Sequence, residues 1–130
     1  MSRKKTSPDW SGDPDLPAAR ARLSLVASPG TADVLVGLLS AARTDLLDAG
    51  DVLHAAQLPP LDRQHPEVAR ALKRAAKGKP LSPALLVRGD LAAGRALFVA
   101  DGHATASACC HLGPDTPLAC RVVELPAMPL

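Results

Sequence analysis

The stretch Leu85–Leu125, LLVRGDLAAGRALFVADGHATASACCHLGPDTPLACRVVEL, sets the architecture of this chain. Leu85–Arg88 is a short apolar run, Gly89–Gly94 carries the glycines and aspartate of a turn, and Ala96–Ala100 reads as a second strand. Asp101-Gly102 ends that strand. His103–Leu112 is rich in alanine and reads as a short helix. Gly113-Pro114-Asp115 is a loop, and Ala119–Leu125 closes the domain as a third strand. The order is therefore strand, turn, strand, helix, strand.

Upstream the pattern is helical. Pro17–Val26 reads as a short helix passing into an extended segment, broken by Ser28-Pro29-Gly30. Thr31 is the expected N-cap of a second helix, with Asp33 in its first turn. Leu35, Leu38, Leu39 and Ala42 recur at helical spacing, and Val34 and Val36 widen that face, which predicts a well-buried helix. Thr44 is expected to cap a helix over Asp45–Gln57, with Leu46, Ala49 and Leu53 inward and Gly50 inside it at a cost of about 1 kcal/mol relative to alanine. A helix-turn-helix reading of that segment leaves only His54 and Gln57 to read bases, and is not preferred. Pro59-Pro60 ends it. His65-Pro66-Glu67 opens a third helix with Val68, Leu72, Ala75 and Ala76 inward, and Gly78 and Lys79-Pro80 end it. The expected fold is α+β: N-terminal helices, then a small mixed sheet with an inserted helix.

Composition bounds the rest. Apolar residues make up 47% of 130, enough for one modest core, but aromatic residues make up only 2%, so the core must be built from Leu, Val and Ala. The same scarcity argues against stacking platforms for single-stranded nucleic acid. Residues 1–16 contain almost nothing apolar except Trp10 and read as a disordered arm, in which Arg3-Lys4-Lys5 is a weak signal for nucleic acid; residues 17–130 read as a single domain. No signal-peptide pattern and no long apolar run is present, so a cytoplasmic location and no membrane partner are expected. The Ala, Leu, Arg and Pro bias suggests a bacterial source.

Three features carry chemistry. The first is the corner Asp101-Gly102-His103, where a strand feeds a glycine and a helix start, exposing backbone N–H groups at the positive end of a dipole. Asp101, Gly102, His103, Thr105 and Ser107 are the candidate anion- or nucleotide-binding residues. The second is a basic stripe, Arg70, Lys73, Arg74, Lys77 and Lys79, a candidate nucleic-acid patch. Between Arg63 and Arg95 eight basic residues meet two acidic ones, a local net charge of +6 in a chain of net +2. A solvated helix face satisfies the same stripe. The third is the set His103, Cys109, Cys110, His111 and Cys120. It lacks a Cys-x-x-Cys spacing, and adjacent cysteines on a helix point about 100° apart, so no metal site is expected and the thiols read as small core residues. Arg88-Gly89-Asp90 reads as a hairpin turn.

The order of elements, the VADG corner and the closing LACRVVEL strand resemble the ParB-like fold, the superfamily of ParB N-terminal domains and sulfiredoxin. The resemblance covers roughly residues 81–125. In that family the residues after the corner glycine add arginines that grip phosphate, often as Gly-Glu-Arg-Arg followed by a further arginine and an alanine. Carried across position by position, Gly102 and Ala108 match. The family's glutamate falls on His103, its two arginines on Ala104 and Thr105, and its later arginine on Ser107. The His-Arg of sulfiredoxin-like members likewise falls on Ala104 and Thr105. The resemblance therefore implies a degenerate, non-catalytic module without cofactor, which binds a nucleotide or nucleic-acid phosphate weakly or docks a protein partner. Two alternatives stand beside it. One is a ParB-like-fold enzyme (nuclease, nucleotide hydrolase or kinase) with an atypical site that uses Asp101 and His103 as acid or base and Thr105 or Ser107 as acceptor. The other is an antitoxin-like or structural interaction protein.

Overall fold

A computed structural model describes residues 8–89, 96–113 and 115–125. Arg3-Lys4-Lys5, most of the 89–94 turn, including Asp90, and Pro114 lie outside the described residues. The elements run α1 (Leu16–Leu23), α2 (Pro29–Ala41), β1 (Asp45–Asp48), α3 (Ala49–Ala56), α4 (Pro66–Ala76), β2 (Ala84–Arg88), β3 (Leu97–Asp101), α5 (His103–Leu112) and β4 (Pro117–Glu124). The four strands form one mixed sheet in the order β1-β4-β2-β3, in which β2 and β4 are parallel and both outer pairs antiparallel. The α+β class expected from the sequence is the class observed.

Alternation along β2 explains why helices cover both faces of the sheet. Successive strand side chains point to opposite faces. Leu85 and Val87 pack with Ala19, Leu23, Ala32, Leu35 and Leu39 of α1 and α2. Ala84 and Leu86 pack with α3 and α5 through Val52, Leu53, Ala106 and Cys109. A third cluster, Val68, Ala71, Ala75, Leu81 and Ala108, seats α4 on the outside of α5. Apart from Pro8 and Pro83, every buried apolar residue among those described is Ala, Leu, Val or Cys, as the composition required.

Several local expectations are corrected. Ala76, expected inward on α4, is exposed, and residues 24–26 continue from α1 as hydrogen-bonded turns rather than as an extended segment. Asp45–Asp48 is an edge strand rather than the first turn of a helix: Asp45 pairs with Cys120 and Asp48 with Pro117. The helix starts after it, with the Asp48 side chain accepting a hydrogen bond from the Asp51 N–H at 3.1 Å. Leu46 is consequently 62% exposed instead of inward. Ser28, not Thr31, caps α2, and Pro29 takes the first helical position, where its missing N–H costs nothing. Val34 and Leu38 are exposed, so α2 buries a narrower stripe than its sequence suggests. Finally, residues 8–12, grouped with the N-terminal arm above, lie on the domain: the Leu81 N–H donates to the Asp9 carbonyl at 2.7 Å, the Gly12 N–H donates to the Leu81 carbonyl at 3.1 Å, and Trp10 packs against two of the clusters.

Candidate functional site: a cleft at the strand-to-helix corner

Gly102 turns the chain from β3 into α5. Its φ of 113° lies in the region that favours glycine, and a Cβ there would meet the Ala84 Cβ at 2.7 Å and the Ala84 Cα at 2.9 Å. The residue therefore does two things: it permits the turn and lets α5 approach β2. No side chain caps the helix start, so its first N–H groups have no side-chain acceptor.

The corner and the basic stripe are parts of one cleft. A cavity of about 300 Å³ is lined by Asp101, Gly102, His103, Ala104 and Thr105 of the corner, by Glu67, Arg70 and Arg74 of α4, and by Asp15 and Arg22 at α1. Lys73, Lys77 and Lys79 are exposed and do not line it. Of the stripe, then, only the pair at i, i+4 faces the corner. Arg22, Asp15 and Glu67 were not singled out by sequence reasoning. Nothing local marks them, because the fold brings them to the corner from α1 and from the first turn of α4.

The charges in the cleft are balanced and unequally engaged. Arg22 donates to the Ala100 carbonyl at 3.1 Å and to Asp101 at 3.3 Å. Arg74 makes two hydrogen bonds to the Pro80 carbonyl, at 2.7 and 3.1 Å, which orient it without neutralising it. Arg70 makes no hydrogen bond or ion pair among the described residues. Opposite them stand Asp15, whose side chain caps α1, Glu67 and Asp101. Burial, and then the charge of Asp15, push the Asp101 carboxyl above its ordinary value, and Arg22 offsets this only in part.

Two of the expected site residues have another task. On α5, His103, Ser107 and His111 follow at i, i+4, i+8 and clasp the segment between α3 and α4. His103 Nε2 donates to the Pro59 carbonyl and His111 Nε2 to the Leu61 carbonyl, both at 2.8 Å. The Ser107 hydroxyl accepts from the Leu61 N–H at 2.9 Å and donates to the His103 carbonyl at 2.8 Å. Ser107 is fully buried and does not reach the cleft. His103 lines the cleft, but its Nε2 proton is committed to Pro59. Thr105 lines the cleft and is half-buried.

The cysteines behave as core atoms. Cys109 and Cys120 are buried, and burial pushes both thiols up to about 12. Among the described residues no group of three or more His, Cys, Asp or Glu side chains is placed to hold a metal ion. Nor is any helix among them long and apolar enough to cross a membrane.

No family model, curated protein or solved structure matches the chain.

Proposed function

We propose that the corner cleft binds the phosphate group of a ligand, weakly and without catalysis, as a ParB-like module whose motif arginines are replaced by arginines from other elements. Nucleotides and nucleic-acid phosphates are the ligands that the resemblance implies. The observation that carries this reading is the convergence of Arg22, Arg70 and Arg74 on the helix start that follows Gly102. Thr105 and Ala104 stand where the family has arginine, yet Arg22 of α1 contacts Ala100 and Asp101, and Arg70 and Arg74 of α4 line the same cavity. A guanidinium presents paired donors that match phosphate oxygens, and an open helix start adds backbone donors.

Weakness follows from the three carboxylates in the same cleft. Asp101 engages Arg22, while Asp15 and Glu67 repel an anion. The non-catalytic part of the reading is supported by the clasp. His103, one of the two acid or base candidates of the enzyme alternative, and Ser107, one of its two acceptor candidates, are engaged with backbone groups of residues 59–61, which leaves it Asp101 and Thr105.

Calorimetry and thermal shifts with inorganic phosphate, pyrophosphate, nucleotides and short duplex DNA test the reading, since a ligand that binds only the folded state raises its melting temperature. The expected result is a phosphate-dependent shift with Kd on the order of millimolar, lost in Arg70→Ala. Binding that survives Arg70→Ala unchanged, or no binding of any phosphate, overturns it. Turnover of a nucleotide or nucleic acid abolished by Asp101→Ala restores the enzyme.

A further inference from the structure

A second cavity, of about 320 Å³, adjoins the cleft. It is lined by Leu25, Val26, Ala56, Leu58, Leu97, Phe98 and Val99, together with Arg22 and His103. Arg22 and His103 also line the cleft, so the two cavities meet across that pair. On one side of it stand the helix start and two further arginines. On the other stands an almost wholly apolar surface made by the end of α3, the turn after α1, and β3. Leu25, at 83% exposure the most exposed large apolar residue among those described, borders this second cavity.

We infer that the ligand of this site is an amphipathic anion, with a phosphate head at the corner and an unfunctionalised apolar tail in the second cavity. The inference rests on the phosphate reading above and assigns the group that the phosphate carries. A nucleobase needs hydrogen-bond partners for its edge, and an apolar pocket selects by its few placed polar groups. Here the only polar side chains are Arg22 and His103. Arg22 is bonded to Ala100 and Asp101, and the Nε2 of His103 to Pro59. The cavity therefore rewards removal of apolar surface from water and offers a base edge little. An alkyl or isoprenoid chain meets that requirement.

Octyl phosphate, kept below the concentration at which it forms micelles, is the probe. Inorganic phosphate, adenosine monophosphate and octanol are its comparators, measured by calorimetry on the full chain. Burying an alkyl chain strengthens binding roughly fourfold per methylene. With half of the octyl chain inserted, octyl phosphate is expected to bind about a hundredfold or more tighter than inorganic phosphate. It should also bind tighter than the mononucleotide and than octanol. Phe98→Ser and Leu25→Ser should each reduce that advantage and leave inorganic phosphate unchanged. Arg70→Ala should weaken both phosphates by the same factor. Should Phe98→Ser fail to fold, Leu25→Ser decides, because that side chain is exposed.

Equal affinity for octyl and inorganic phosphate, or preference for the mononucleotide, overturns this inference and leaves the phosphate site standing. An advantage untouched by both serine variants does the same. Octyl phosphate and octanol binding equally, with no effect of Arg70→Ala, overturns the phosphate site and the inference together. Binding only to vesicles that contain phosphatidic acid, with no uptake of soluble octyl phosphate, overturns the small-ligand assignment in favour of a lipid surface.

Discussion

Arg22 and Asp101 are 79 residues apart in sequence and meet at 3.3 Å, while the same guanidinium holds the Ala100 carbonyl at 3.1 Å. This contact ties α1 to the end of β3 and brings a cation to a corner whose own sequence carries none. It also occupies that cation with a carboxylate. On the reading proposed above, Asp101 and an anionic ligand compete for Arg22.

The first prediction follows from the titration of Asp101. Its carboxyl is raised by burial and by Asp15, so the folded protein keeps this proton at a pH where the unfolded chain has lost it. Its contribution to stability is full below the ordinary aspartate value and is lost as pH rises through the raised one. Loss of the carboxylate charge should also release Arg22. Sulfate, whose charge is constant over the range, should thus bind more tightly as pH falls through that window. Asp101→Asn should bind it more tightly at neutral pH and remove the part of the trend that lies above the ordinary carboxylate range, leaving only what Asp15 and Glu67 contribute at more acid pH. Sulfate titrations from neutral to acid pH check this, and a flat profile in the wild type sinks it.

Gly102→Ala should destabilise the domain by about 2 kcal/mol or more. Positive φ alone costs on the order of 1–3 kcal/mol in a residue with a side chain. The added Cβ also lies 2.7 Å from that of Ala84, within the sheet. Urea unfolding measures the loss.

Ser107→Ala separates the clasp from the cleft. It leaves the Leu61 N–H without its acceptor, a loss of about 1–3 kcal/mol. Phosphate affinity should not change, because Ser107 does not line the cleft. A selective loss of binding without loss of stability would return Ser107 to the site.

Thr105→Arg tests the corner directly. Thr105 lines the cleft, and the substitution adds a charged fork at the position where the ParB-like domains that this corner resembles carry arginine. One additional charge-assisted hydrogen bond of about 1.5–3 kcal/mol corresponds to a tenfold to hundredfold gain in phosphate affinity. A folded Thr105→Arg protein that binds no phosphate favours the partner-docking reading.

Thiol labelling should proceed in a fixed order. Cys110 is half-buried and should react first. Cys109 and Cys120, pushed up to about 12 by burial, should react only on unfolding. Mass spectrometry after partial labelling reads the order.

Local chemistry determined much of this protein. Alanine content with glycines at both ends placed α5 over His103–Leu112, and Pro66 and Gly78 bounded α4. The apolar runs placed the three strands after residue 80, and the lack of aromatics set a core of Ala, Leu and Val. Each of these signals is carried by neighbours in the chain. Tertiary structure decided what depends on a distant partner. Asp45–Asp48 has a pattern that suits a helix, but β4 offers it a ladder of backbone partners about seventy residues away, and those bonds make it a strand. The basic stripe and the Gly102 corner read as two separate features until α4 packs on α5 and places Arg70 and Arg74 in the same cavity wall as the corner. His103 and Ser107 read as ligands until residues 59–61 pass beneath them and take their hydrogen bonds. A side chain's residue type sets what it can bind; which partner it meets depends on packing between segments far apart in sequence.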